Sequence, residues 1–166
     1  MIAQDFVVSQ GEEEVMEEMA SGLHGVIASR VNGYLFIYLL QNKLGHVLDS
    51  STTYNFGDDL PRRESDVSFV SLEKMPIPLD SELAFAPDLA VEVVSKNDKV
   101  YELETKLAQY QKAGVSLIWV IYPNSQKVEV YRQKTGLIEQ VVDLNGELDG
   151  ENILPGFKLK VKALFD

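Results

Sequence analysis

Apolar residues recur at helical spacing near the start of the chain, at Leu23, Val26, Ile27, Val31, Tyr34, Leu35, Tyr38 and Leu39. That period predicts a long helix over 23–40, with Ser21-Gly22 as its start and Gly45 just past its end. The period then shortens. Residues 45–54 read as a strand, 55–63 as a turn-rich stretch (Gly57, Asp58, Asp59, Pro61) and 66–70 as a short alternating strand. Residues 75–87, punctuated by prolines, read as a loop. The nearly continuous apolar run 89–94 fits a strand covered on both faces. Over 98–113, Val100, Leu103, Leu107 and Tyr110 form one stripe with Gly114 as terminator, which predicts a second helix. Residues 117–122 read as another buried strand, followed by a turn at Pro123-Asn124-Ser125-Gln126 and a return strand over 128–132. Strands over 137–142 and 157–161, with turns at Asn145-Gly146 and Pro155-Gly156, complete the pattern. This order predicts an α/β domain with a central mixed β-sheet flanked by helices.

The 166 residues fit one domain spanning 1–166. With 45% hydrophobic and 25% charged residues, the composition is that of a soluble globular chain. The absence of cysteine excludes disulfides and thiolate zinc sites and fits a reducing compartment. The first ten residues lack the basic stretch of a secretion leader, and the next eight are strongly acidic. The longest apolar run, 34–40, falls far short of the ~20 residues of a membrane span. A cytoplasmic protein without a membrane partner is expected. The net charge of −11 has the wrong sign for a nucleic-acid binder, whose affinity rests on cations meeting phosphates. Two features temper this: many acids cluster between Asp5 and Glu18, and a divalent cation in a carboxylate site reverses its repulsion towards phosphate.

The chemistry centres on Glu92, an ionisable residue among Val91, Val93 and Val94. A buried carboxylate costs several kcal/mol unless it is paired, protonated or ligating a metal. Asp88 shares its strand face, but four residues along a strand is about 13 Å, too far to share one ion. A partner on a neighbouring strand lies only about 5 Å away, and Asp66 is the best placed. Two carboxylates completed by waters and substrate phosphate are a common way to hold Mg²⁺.

Several strings, taken together and in order, carry a resemblance. They are Arg62-Arg63-Glu64-Ser65-Asp66-Val67-Ser68-Phe69-Val70, then Ala86-Pro87-Asp88-Leu89-Ala90-Val91-Glu92-Val93-Val94-Ser95, then Lys106-Leu107-Ala108-Gln109-Tyr110 with Gly114-Val115 and Trp119-Val120, and Leu154-Pro155-Gly156-Phe157. From Arg62 onward, and more weakly around His24, the chain resembles the Uma-two family of restriction-endonuclease-like proteins in the PD-(D/E)XK superfamily. The resemblance implies a restriction-endonuclease-like fold, a Mg²⁺- or Mn²⁺-dependent DNA endonuclease, and a homodimer. It assigns Asp66 and Glu92 as metal ligands. The superfamily lysine two residues after the second acid is replaced by Val94, which has no charge to offer. Lys106, heading a Lys-Leu-x-x-Tyr string similar to the Gln-Leu-x-x-Tyr of RecB-type nucleases, is the substitute catalytic residue. Many superfamily members add an N-terminal acid, for which Glu12, Glu13, Glu14, Glu17 and Glu18 are equal candidates.

Each residue also has a plainer role. Lys106 has Glu102 four residues before it, a favourable exposed pair on a helix, so it points inward or outward with equal weight. Asp88 reads as a cap at a strand end, Trp119 and Tyr122 as core, and Lys96 and Lys99 as loop cations. His24 and His46 read as surface or capping residues. Val94 and the acidic balance favour a rival function, a catalytically inactive nuclease-fold module that binds a partner.

Overall fold

The computed structural model describes residues 21–75, 80, 82–133 and 138–166. Helix α1 (Gly22–Gln41) begins where Ser21 Oγ accepts the His24 N–H at 3.3 Å and ends at Asn42, whose N–H donates to the Tyr38 carbonyl. The strands β1 (Gly45–Asp49), β2 (Val67–Ser71) and β3 (Leu89–Val93) follow. Helix α2 (Val100–Ala113) then crosses to β4 (Leu117–Tyr122), β5 (Lys127–Arg132) and β6 (Ile138–Val142). These six strands form one sheet in sequence order, antiparallel throughout except for the parallel β3–β4 pair that α2 connects. The mixed sheet flanked by helices is the expected architecture.

Strand alternation sorts the core into two layers. Phe69, Leu89, Val91, Trp119 and Ile121 pack with Ile27, Val31, Leu35 and Leu39 of α1. Ala90, Ile118 and Val120, one residue out of phase, pack with Leu107 and Tyr110 of α2. Glu92, two residues after Ala90, therefore faces the α2 layer.

Three boundaries differ from the sequence-based expectation, each for a local reason. The strand expected over 45–54 ends at Asp49, whose carboxylate accepts the Ser51 N–H at 3.0 Å and hydroxyl at 2.5 Å and so folds a turn. Gly45 opens this strand, as expected; a Cβ there would lie 2.1 Å from the Val70 carbonyl oxygen, so only glycine fits. The second helix starts at Val100 because Asp98 turns back to accept the Ser95 N–H and hydroxyl, at 2.7 and 2.8 Å. The final strand, β8 (Lys158–Lys160), leaves the main sheet and pairs with the unanticipated β7 (Glu147–Asp149), ahead of a 3₁₀ turn at Val161–Leu164. Trp119 is fully buried as expected, whereas Tyr122 sits at the margin with its hydroxyl 2.9 Å from Glu129.

Helix α1 is also long and apolar enough to cross a membrane by length and composition, which the length of its apolar runs does not reveal. In this fold it is a layer of the domain, with Ile27, Val31, Leu35 and Leu39 against the sheet. Its outer side leaves Phe36, Ile37 and Leu40 more than half exposed, at 52%, 61% and 63%.

Candidate active site

Strands β2 and β3 pair with Val67 opposite Val91. One step further along this antiparallel register, Asp66 stands opposite Glu92, and facing residues of such a pair are about 5 Å apart at Cα. Asp66 Oδ2 accepts the Val93 N–H at 2.7 Å, which fixes the aspartate to the β3 backbone. Both carboxylates line one cleft of about 830 Å³, together with His24, Arg62, Arg63 and Lys106.

Glu92 is buried, and each of its oxygens has a donor from α2. Lys106 Nζ lies 2.6 Å from Oε2 and the Tyr110 hydroxyl donates to Oε1 at 2.7 Å. These donors sit four residues apart on one helix face, so the Lys-Leu-x-x-Tyr string works as a two-point grip. Lys106 thus points inward, and Glu102 pairs with Lys99 at 3.6 Å. The ammonium that Val94 cannot supply from β3 reaches Glu92 from the helix instead.

Burial pushes the Glu92 carboxyl up to about 7; the Lys106 charge opposes this and the Asp66 charge adds to it. Tyr110 is held far above the usual phenol range, first by burial and then by the adjacent Glu92. His24 comes from the other layer, from the first turn of α1. Its Nε2 lies 3.2 Å from Asp66 Oδ2, and that hydrogen bond, against the opposing effect of burial, raises the imidazole above its ordinary value. His24 is therefore a site residue and not the surface or capping residue expected. Its position where α1 opens, in the region of weaker family resemblance, was the available signal.

Asp88 caps as expected, accepting the Ser71 N–H at 2.8 Å and pairing with Lys74 at 2.9 Å. It takes no part in the cleft. The candidate acids between Glu12 and Glu18 lie outside the described residues. Among the described residues, no three His, Asp or Glu side chains converge to hold a metal on their own. A Mg²⁺ ion nevertheless fits the donor set, because it retains several waters and uses one or two carboxylates plus substrate oxygens. Asp66 Oδ1 has no hydrogen-bond partner among the described residues and is the oxygen ready for it.

Residues 3–162 match the Uma2 family, described as "Putative restriction endonuclease". The chain belongs to the Uma2 family. A crystal structure of "a putative nuclease belonging to DUF820" from Anabaena variabilis has the same fold. It aligns over 89% of this chain and 82% of its own, with a TM-score of 0.76 and 23% sequence identity. No curated protein matches the chain. The restriction-endonuclease-like fold expected from the strings around Asp66 and Glu92 is the one observed, and the α2 string lies against Glu92.

Proposed function

We propose that this Uma2 member is a Mg²⁺- or Mn²⁺-dependent DNA endonuclease hydrolysing phosphodiester bonds, with Asp66 and Glu92 as metal ligands and Lys106 as the catalytic cation. The observation that carries this reading is the placement of Asp66 and Glu92 as cross-strand neighbours in one cleft, with the Lys106 ammonium 2.6 Å from Glu92. Bound there, a divalent ion would supply a water of lowered pKa and polarise the phosphate. Asp66 offers its unpartnered Oδ1, and His24 and the Val93 N–H hold the other oxygen so that the carboxylate keeps one orientation. Tyr110 does the same for Glu92. Lys106, freed from Glu92 once that charge is shared, would orient the attacking water and offset the negative charge developing on the phosphoryl oxygens. The cytoplasm, where DNA is accessible, is the compartment we assign.

The test is cleavage of plasmid DNA by wild type and Asp66→Asn in Mg²⁺ or Mn²⁺. Wild type should nick or linearise the plasmid, and the variant should lose at least about 100-fold in rate, as expected when a charged ligand is removed from a metal-assisted site. Wild type inert in both metals would instead favour the inactive binding module, for which the missing β3 lysine speaks.

A homodimer is the assembly we propose. Phe36, Ile37 and Leu40 expose apolar surface along a helix whose one arginine, Arg30, is bound to the carbonyls of Leu164 and Asp166. A second copy is a natural cover, since two-fold interfaces pair a patch with itself. Sedimentation velocity should give a dimer for wild type and a monomer for Ile37→Glu/Leu40→Glu; a wild-type monomer at micromolar concentration overturns the assembly.

A further inference from the structure

Four basic side chains line the cleft, and three of them already face a carboxylate. Lys106 lies on Glu92, His24 on Asp66, and Arg62 makes a two-point contact with Glu82 at 2.5 and 3.0 Å. Arg63 is different. Its main chain is fixed by two hydrogen bonds to Tyr54, which is fully buried: the Tyr54 N–H donates to the Arg63 carbonyl at 2.8 Å and the Arg63 N–H to the Tyr54 carbonyl at 3.0 Å. Its side chain is fixed too, because Nε donates to Gln109 Oε1 at 2.6 Å, one helical turn beyond Lys106.

This anchoring uses one of the five guanidinium donors. The donors on Nη1 and Nη2 have no partner among the described residues, and no carboxylate pairs with the group there. A half-buried guanidinium held by a neutral amide makes no ion pair among the described residues, although the cleft it lines also holds Glu64, Asp66 and Glu92. Folding alone does not explain that, since an unpaired cation taken partly out of water is costly. Its fork suits the paired oxygens of a phosphodiester, which a lysine would meet only as a point charge.

Resting on the nuclease reading, we propose that Arg63 is a phosphate clamp: its Nη donors grip a backbone phosphodiester of the nucleic-acid strand in the cleft, and Gln109 presets the fork. Arg63 would bind substrate, and Gln109 would position Arg63. The clamp explains how a strongly acidic protein retains a polyanion in register with Asp66 and Glu92 when its other cleft cations are occupied.

The experiment is fluorescence anisotropy of fluorescein-labelled single-stranded and duplex oligonucleotides with the full chain, in Ca²⁺ to prevent turnover, across a range of salt. Arg63→Ala should weaken binding by about tenfold or more and lower the slope of log K against log salt by about one, the signature of one lost phosphate contact. Arg63→Lys should keep the slope while losing affinity, because charge is retained and the fork is not. Gln109→Leu should weaken binding with the slope unchanged, since the guanidinium remains but is no longer preset. Arg63→Ala with wild-type affinity and slope overturns the clamp and leaves the nuclease reading standing. Wild type binding neither oligonucleotide overturns both.

Discussion

Replacing Glu92 with glutamine is expected to abolish cleavage, keep the fold, and remove a pH dependence of stability that the wild type carries. Glutamine has the same shape: its amide oxygen can accept from the Lys106 ammonium, 2.6 Å from Glu92 Oε2, and its amide N–H can donate to the Tyr110 hydroxyl oxygen, 2.7 Å from Glu92 Oε1. It carries no charge for a divalent ion. Loss of metal-derived stabilisation worth several kcal/mol corresponds to about a thousandfold or more in rate. The stability effect follows from linkage. In the folded protein burial raises the Glu92 carboxyl from 4.5 to about 7. Between those values the folded state holds a proton that the unfolded chain has released, so wild-type stability falls as pH rises through this window. The gap corresponds to a loss on the order of 3 kcal/mol, complete once pH passes the folded value.

Urea unfolding at pH 5 and pH 8.5 measures this. Glu92→Gln should match wild type at pH 5 and exceed it at pH 8.5. Other groups titrate as well: His24 is raised, while Asp49, Glu82 and Asp149 are lowered. They are present in both proteins, and only His24 feels the Glu92 charge, as the smallest of the causes that shift it, so the difference between the two curves reports mainly on Glu92. An equal slope in both would mean that Glu92 is already ionised at pH 5 in the folded state, and the account of its burial would be wrong.

The sheet and both long helices were legible in the sequence because each buries a periodic or continuous apolar surface. The 117–122 run matches β4 residue for residue, since it is covered on both faces. The three-residue β7 leaves too short a pattern to read, whereas β8 lies inside the strand expected over 157–161; what could not be read is that the two pair with each other. In the site, Glu92 announced itself as a charge in an apolar run, and Asp66 followed from strand pairing. The direction of Lys106 could not be read locally. Glu102 and Glu92 were equally good partners until the packing of α2 on β3 decided between them. His24 and Arg63 were hidden for a related reason: Asp66 and Gln109, their partners, belong to other elements, and no spacing in the chain encodes that contact.

Lys106→Met should be destabilising at high pH and nearly silent at low pH. Methionine keeps the apolar stem that packs beside Tyr110 and removes only the charge. Lys106 is the strongest influence holding the Glu92 carboxyl down against its burial. Below about pH 5 Glu92 is protonated with or without the lysine, and the variant should unfold at the wild-type urea concentration. At pH 8.5 the wild type holds an ion pair, whereas the variant must either bury a lone carboxylate or take up a proton. Breaking a buried pair from one side costs about 3–5 kcal/mol, and proton uptake caps the loss below the upper end. Were Lys106 an exposed partner of Glu102, the cost would stay near ~0.5 kcal/mol and show no such pH dependence. The double variant Lys106→Met/Glu92→Gln separates charge from packing. With no carboxylate left to strand, it should recover most of the stability lost by Lys106→Met at pH 8.5, a coupling between contacting groups. Equal destabilisation by Lys106→Met at both pH values, unrelieved in the double variant, would show that the lysine serves the core through its stem and would remove it from the catalytic assignment.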